Sequence, residues 1–172
     1  MNKTVLICVI LFLLISCGQP FKLQKFSSEE GRFSVLLPGN PEKSEQTIST
    51  AAGPINITFF MVSRKNGVYG VGYCDYPSQV FLNQSLDKML DDAMNEAIGN
   101  IEGTLKKETD FTLEGGVVGR EIEAYFSKPG KPGIFRAAYY LDQPRFFQVI
   151  ITTTMDIAYK PVMDEILKSL EI

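Results

Sequence analysis

Hydrophobic positions along this chain change their spacing from one segment to the next, and the spacing predicts the elements. Val5 to Ile15 is an unbroken apolar run. Glu29-Glu30-Gly31 predicts a turn, and Arg32 to Leu37 a strand stopped by Pro38-Gly39-Asn40-Pro41. Glu42 to Thr50 is polar and β-compatible, which suits a sheet edge. In Pro54 to Arg64, Ile55, Ile57, Phe59 and Met61 alternate onto one face of a long strand. Lys65-Asn66-Gly67 predicts a tight hairpin, because Asn-Gly takes the positive φ angles that a short reversal needs. Val68 to Tyr76 then returns as a strand and ends at Pro77.

The period next becomes helical. Leu86, Met89, Leu90, Ala93, Ala97, Ile98 and Ile101 share one face, and Asp87, Asp91, Asp92, Asn95 and Glu96 the other. Ser85 is the expected N-cap, Asp87 suits the positive end of the dipole, and Gly99 is the expected C-cap. The acidic face reads as solvated surface. Four β segments follow, Thr104 to Leu113, Val117 to Ser127, Gly133 to Asp142 and Arg145 to Thr154. Gly115-Gly116, Pro129-Gly130 and Gln143-Pro144 join them with turn chemistry. Pro161 opens a final amphipathic helix through Val162, Ile166, Leu167 and Leu170. Phe33 to Leu37 and Phe146 to Ile151 are apolar on both faces, where half-exposed antiparallel strands would alternate. The expected fold is therefore α+β, a mostly antiparallel sheet with a helix packed against each face.

Composition narrows the class. The chain has 172 residues, which suits one domain with a real core. A net charge of -3, from Lys+Arg 17 against Asp+Glu 20, argues against a nucleic-acid partner.

The amino terminus carries an address. Lys3 precedes the apolar run, which is shorter than the ~20 residues of a spanning helix but matches a secretory signal. Leu14-Ile15-Ser16-Cys17 resembles a bacterial lipobox, whose cysteine is linked to diacylglycerol and becomes the first residue after cleavage. Two or more acyl chains, at ~0.8 kcal/mol per buried CH₂, hold a protein firmly on a membrane. The expected organisation is a signal peptide over 1–16, a lipidated terminus and tether over 17–25, and one globular domain over 26–172. Gly18, where an aspartate would signal inner-membrane retention, favours the periplasmic face of the outer membrane. Cys8 leaves with the signal and Cys17 is the anchor, so Cys74 remains a lone thiol, read as a small buried hydrophobe.

Candidate chemistry is sparse. Without histidine there is no imidazole base, no Ser-His or Cys-His nucleophile and no His-ligated zinc. Gly115-Gly116-Val117-Val118-Gly119 lies between two strands and reads as a hairpin rather than a phosphate cradle. Glu121 and Glu123 lie two apart on one strand face, close enough to share a proton or cation, or to pair with Arg120 or Arg136. Asp75, at a strand end, is expected to cap backbone amides. Tyr69, Tyr73 and Tyr125 suit either a groove or the core. Lys128-Pro129-Gly130-Lys131-Pro132-Gly133 is a basic hairpin tip that suits solvent, anionic headgroups or an acidic partner.

Gly31-Arg32-Phe33-Ser34-Val35-Leu36-Leu37-Pro38-Gly39-Asn40-Pro41, with AAGPINITFFMV, YGVGYCDYP, GREIEAYFS and the closing ILKSLEI, resembles the bacterial PsbP-like domain family. The resemblance spans nearly the whole chain after the signal and implies an α-β-α sandwich around an antiparallel sheet. The family includes an extrinsic photosystem II subunit that helps retain calcium and chloride, and a Ran-binding nuclear-import protein shares the fold. Histidines that bind metal in plant members have no counterpart in a chain without histidine. The expectation is a membrane-anchored extracytoplasmic lipoprotein, a non-catalytic binding or assembly module with an envelope protein partner and no cofactor. The alternative is a small-molecule or divalent-ion binder, with Tyr73, Asp75, Glu121 and Glu123 as the binding candidates.

Overall fold

The structure is a computed structural model that describes residues 22–50, 53–65, 67–128, 131–155 and 160–172. The expected signal peptide, Cys17 and most of the expected tether lie outside the described residues. The strands are β1 (Gln24–Ser28), β2 (Phe33–Leu37), β3 (Glu42–Thr50), β4 (Gly53–Arg64), β5 (Gly67–Asp75), β6 (Thr104–Thr112), β7 (Val118–Lys128), β8 (Lys131–Asp142) and β9 (Arg145–Thr154). The helices are α1 (Ser78–Asn83), α2 (Leu86–Asn100) and α3 (Lys160–Leu167). A 7-stranded antiparallel sheet runs β3-β4-β5-β9-β8-β7-β6, and β1 and β2 form a separate antiparallel ladder.

Both faces of the large sheet are apolar, and each meets a different cover. On one face Phe60, Val71, Tyr140, Phe147 and Val149 pack with Phe33, Val35 and Leu37 of β2 and with Met163, Ile166 and Leu167 of α3. On the other, Ile122, Ala124, Phe135, Tyr139 and Phe146 pack with Met89, Leu90 and Met94 of α2. A helix lies on each face, as expected, but the cover is not helix alone. One face is shared between α3 and the β1–β2 ladder, so the molecule is richer in strand than a simple α-β-α sandwich. β2 is buried on both sides because it lies on the sheet and also pairs Ser34 with Glu171 of the carboxyl terminus. β1 begins at Gln24, inside the stretch expected to be tether.

Most element boundaries match their turn signals. β3 is a sheet edge, and Gly115 and Gly116 adopt φ of 88° and 87° between β6 and β7. Asn66 of the β4–β5 turn lies outside the described residues. Ser85 caps α2 by accepting from the Lys88 N–H at 3.2 Å. Gly99 is not the C-cap. The helix continues to Asn100, and Glu102 takes the left-handed position at φ 52°. The Gly103 N–H reaches the Ile98 carbonyl and the Glu102 N–H the Gly99 carbonyl, the paired bonds of a Schellman ending.

Two buried arginines join sheet to helix. Arg120 of β7, with a side chain 4% exposed, binds Asp110 and Glu108 of β6 and Asp87 and Asp91 of α2. The acidic face is largely exposed, as expected, but Asp87 and Asp91 also pair with this guanidinium. Arg136 of β8 binds Glu121, lies 3.7 Å from Glu123 and reaches Asp164 of α3 at 2.5 Å. Tyr140 donates its hydroxyl to the Leu167 carbonyl at 2.6 Å, closing the end of α3. Arg120→Leu removes the charge that four carboxylates surround, and is expected to destabilise the fold by about 3 kcal/mol. Thermal unfolding checks this, with a midpoint roughly 10 °C lower.

Candidate functional site

The second face of the sheet is covered only in part. α2 seats Leu90 and Met94 on the β7–β8 side, while its Lys88, Asp92, Ala93, Glu96 and Asn100 look toward β4 and β5. Between them lies a groove of about 1320 Å³. Its floor is Ile48 of β3, Ile55, Ile57 and Phe59 of β4, Cys74 of β5, and Phe146 of β9. The apolar face expected of β4 is this floor, and Ile57 and Phe59 remain half-buried. Phe59 and Met61 stand opposite Gly72 and Gly70, where a Cβ would come within 2.7 Å and 2.2 Å of their side chains. The glycines thus let these two side chains lie across the neighbouring strand.

The rim is polar and rich in amides, with Gln46, Gln79, Asn83, Gln84, Asn100 and Gln148 around the opening. Lys88 pairs with Asp92, which also accepts from the Gln84 amide at 2.6 Å. α1 closes one end. It was not foreseen, because Ser78–Asn83 is short and none of its residues is buried. It is held instead by Tyr76, whose ring meets Phe81 and Phe146 edge-on at 6.3 Å and 6.0 Å. Leu82 of α1 is 84% exposed.

The sequence-predicted residues fall elsewhere and in separate places. Tyr73 is buried on the opposite face, 6.0 Å from Phe33 edge-on, with the Arg145 guanidinium 4.7 Å from its ring centre. Tyr69 is core as well, and Lys106 lies over Tyr125 at 5.6 Å. Asp75 does not cap backbone amides. It takes Arg145 in a two-pronged pair, both contacts 2.6 Å, and Arg145 also donates to the Glu30 and Gly31 carbonyls. This latch fastens the β1–β2 turn to the sheet. Glu121 and Glu123 face α3, engaged by Arg136 and, for Glu123, by Lys160 at 3.3 Å. The groove that the sequence missed is built from residues 46 to 148, and its only local signal was the apolar alternation of β4. Among the described residues no group of three or more His, Cys, Asp or Glu is placed to hold a metal ion. Nor is any helix among them long and apolar enough to cross a membrane.

Two groups respond to these surroundings in measurable ways. Burial first, and then the Asp75 charge, push the Cys74 thiol up to about 12. The thiolate is the nucleophile, so native Cys74 is expected to alkylate roughly a hundredfold more slowly at pH 8 than in the unfolded chain. Mass spectrometry of the Cys74 peptide reads this, and equal rates would contradict it. The Arg145 hydrogen bonds hold the Asp75 carboxyl below its usual range. A carboxyl depressed in the folded state stabilises above its unfolded value and loses that effect as pH falls through the folded one. Asp75→Asn should therefore be less stable than the parent at pH 7. The gap in urea midpoint narrows as pH falls below roughly 3.9, the ordinary aspartate value.

No family model and no curated protein matches this sequence. Structure comparison does find similar chains. The solution structure of cyanobacterial PsbP (CyanoP) from Synechocystis sp. PCC 6803 superposes with a TM-score of 0.60 at 15% identity, covering 92% of this chain and 98% of that one. A Pseudomonas aeruginosa protein of unknown function, described as a putative regulator, gives a TM-score of 0.40 at 14% identity over 83% and 91% of the two chains. The expected family fold is therefore present: this chain has a PsbP-like fold, built mostly of antiparallel sheet with three helices among the described residues.

Proposed function

We propose that this chain is a bacterial lipoprotein, a non-catalytic binding module held on the extracytoplasmic side of a membrane by acylated Cys17. In the groove between α2 and β4 it receives a polypeptide segment of an envelope protein. The observation that carries this reading is the groove itself. Its volume, about 1320 Å³, exceeds the ~300–1,000 Å³ typical of a small-molecule pocket. Its apolar floor offers seats for side chains, and its amide rim offers both donors and acceptors for a backbone. Exposed Leu82 beside it extends the apolar surface outward. Leu14-Ile15-Ser16-Cys17 supports the anchor, and Gly18 the outer membrane's periplasmic face.

A photoreactive residue at Ile57 or Ala93, in intact cells, should trap one envelope protein. The same residue at Thr109 on exposed β6 should trap none, and Arg at Ile57 should abolish capture from Ala93. No adduct, or the same adduct from all positions, would count against the groove. Radiolabelled palmitate should enter the parent and not Cys17→Ser; label that persists in the variant would remove the anchor.

A further inference from the structure

The two ends of the large sheet carry opposite charge. One end gathers the β4–β5 and β7–β8 hairpins and the last residues of β9, since Gly67 pairs with Thr153, Gly133 with Thr154 and Lys128 with Lys131. β1 starts at this end too, because the Gln24 amide donates to Asn40 at 2.7 Å and Arg64 donates to the Pro38 carbonyl at 2.9 Å. Lys22, Arg64, Lys65, Lys128, Lys131 and Lys160 all belong to it. Against them stand Glu42 and Glu102, and Lys160 pairs with Glu123 at 3.3 Å. The opposite end carries Glu29, Glu30, Asp75, Asp87, Glu114 and Asp142. Its cations are Arg32 and Arg145, of which Arg145 is committed to Asp75, while Asp87 pairs with Arg120 and Glu30 with Lys43. A net charge of -3 thus conceals a polarised domain. Two large apolar side chains also stay exposed at the basic end, Val68 at 36% and Met155 at 44%.

We propose that this basic end is a docking surface for a bilayer containing anionic phospholipid. The proposal rests on the reading of Cys17 as the acylated residue. From Cys17 to Lys22 the chain extends at most roughly 18 Å, so the anchor and the cations enter the same interface. The field of a charged surface decays over ~8 Å at physiological salt, which makes close tethering necessary for these cations to act. Each lysine near an anionic surface strengthens association roughly fivefold. Val68 and Met155 are then placed to enter the headgroup layer beside the lysines.

The test uses the protein isolated with its lipid from bacterial membranes and reconstituted on vesicles. One set is neutral phosphatidylcholine, the other an equal mixture with phosphatidylglycerol. A water-soluble acetylating reagent, read by mass spectrometry, should modify Lys22, Lys65, Lys131 and Lys160 roughly tenfold more slowly on the anionic vesicles. Lys88 and Lys168 should react alike on both. Protection should vanish at about 0.5 M salt, where the field is screened within a few ångströms. Lys65→Glu with Lys131→Glu should abolish protection while the protein still floats with either vesicle. Equal reactivity on both vesicles, with flotation intact, would overturn the docking surface and leave the anchor standing. Failure to float with neutral vesicles would remove the anchor instead. In that event flotation with anionic vesicles alone supports the basic surface, and flotation with neither overturns it.

Discussion

A seven-stranded antiparallel sheet whose central strands are apolar on both sides must be covered on both sides. The helices available are 6, 15 and 8 residues long. One α-helix is about 10–12 Å wide with its side chains, enough to cover two or three strands spaced near 4.8 Å. On one face the deficit is made up by β1 and β2, which lie beside α3. On the other face nothing equivalent is added among the described residues. α2 takes the β7–β8 side, α1 closes one end, and the β4 floor is left open between them. The groove is what remains when this sheet is covered by this much helix.

Where the covers sit is decided by charge as much as by apolar packing. Burying an arginine costs several kcal/mol unless carboxylates and hydrogen bonds compensate. Arg120 and Arg136 are surrounded in this way, and in each case part of the compensation comes from a helix. Apolar contact alone would let α2 slide across the sheet, since Leu90 and Met94 make contacts without strong direction. The bonds from Asp87 and Asp91 to one guanidinium fix its position, and with it the width of the groove. Arg145 does the same for the β1–β2 turn, through Asp75 and two backbone carbonyls.

What the sequence made legible was local. Alternation in β4, the Gly115-Gly116 turn and the Ser85 cap each rest on a few neighbouring residues, and each is found in the structure. β1 was missed because Gln24–Ser28 carries Phe26 as its only apolar residue, so no alternation marks it. The end of α2 was misplaced because a glutamate, not Gly99, takes the left-handed position. The ion pairs were beyond local reading. Asp87 and Arg120 stand 33 positions apart, and Asp75 and Arg145 stand 70 apart. Pattern shows that Asp87 lies on a polar helix face, and only topology brings the cation to it. The groove was hidden for the same reason. Its floor could be read as an apolar strand face, but not what would stop short of covering it.

The polarity of the domain and the direction of the groove are linked through α2. This helix begins beside the acidic end of the sheet, where Asp87 and Asp91 reach Arg120 and Asp110 also binds. It ends at the basic end, where Gly103 leads into β6 and Thr104 pairs with Tyr125. The groove follows the same line, from Gln79 on α1 to Asn100 at the last turn of α2. With the basic end against a bilayer, as proposed, the groove stands upright beside the sheet and opens sideways, parallel to the membrane plane. A segment bound there would approach along the surface, and both chain and partner would already be confined to it. Confinement of this kind raises effective concentration without adding a contact. A broad groove with an apolar floor and few fixed charges can therefore serve a membrane-bound partner at modest intrinsic affinity. The orientation comes from charge at one end of the sheet, and recognition from apolar surface on its face.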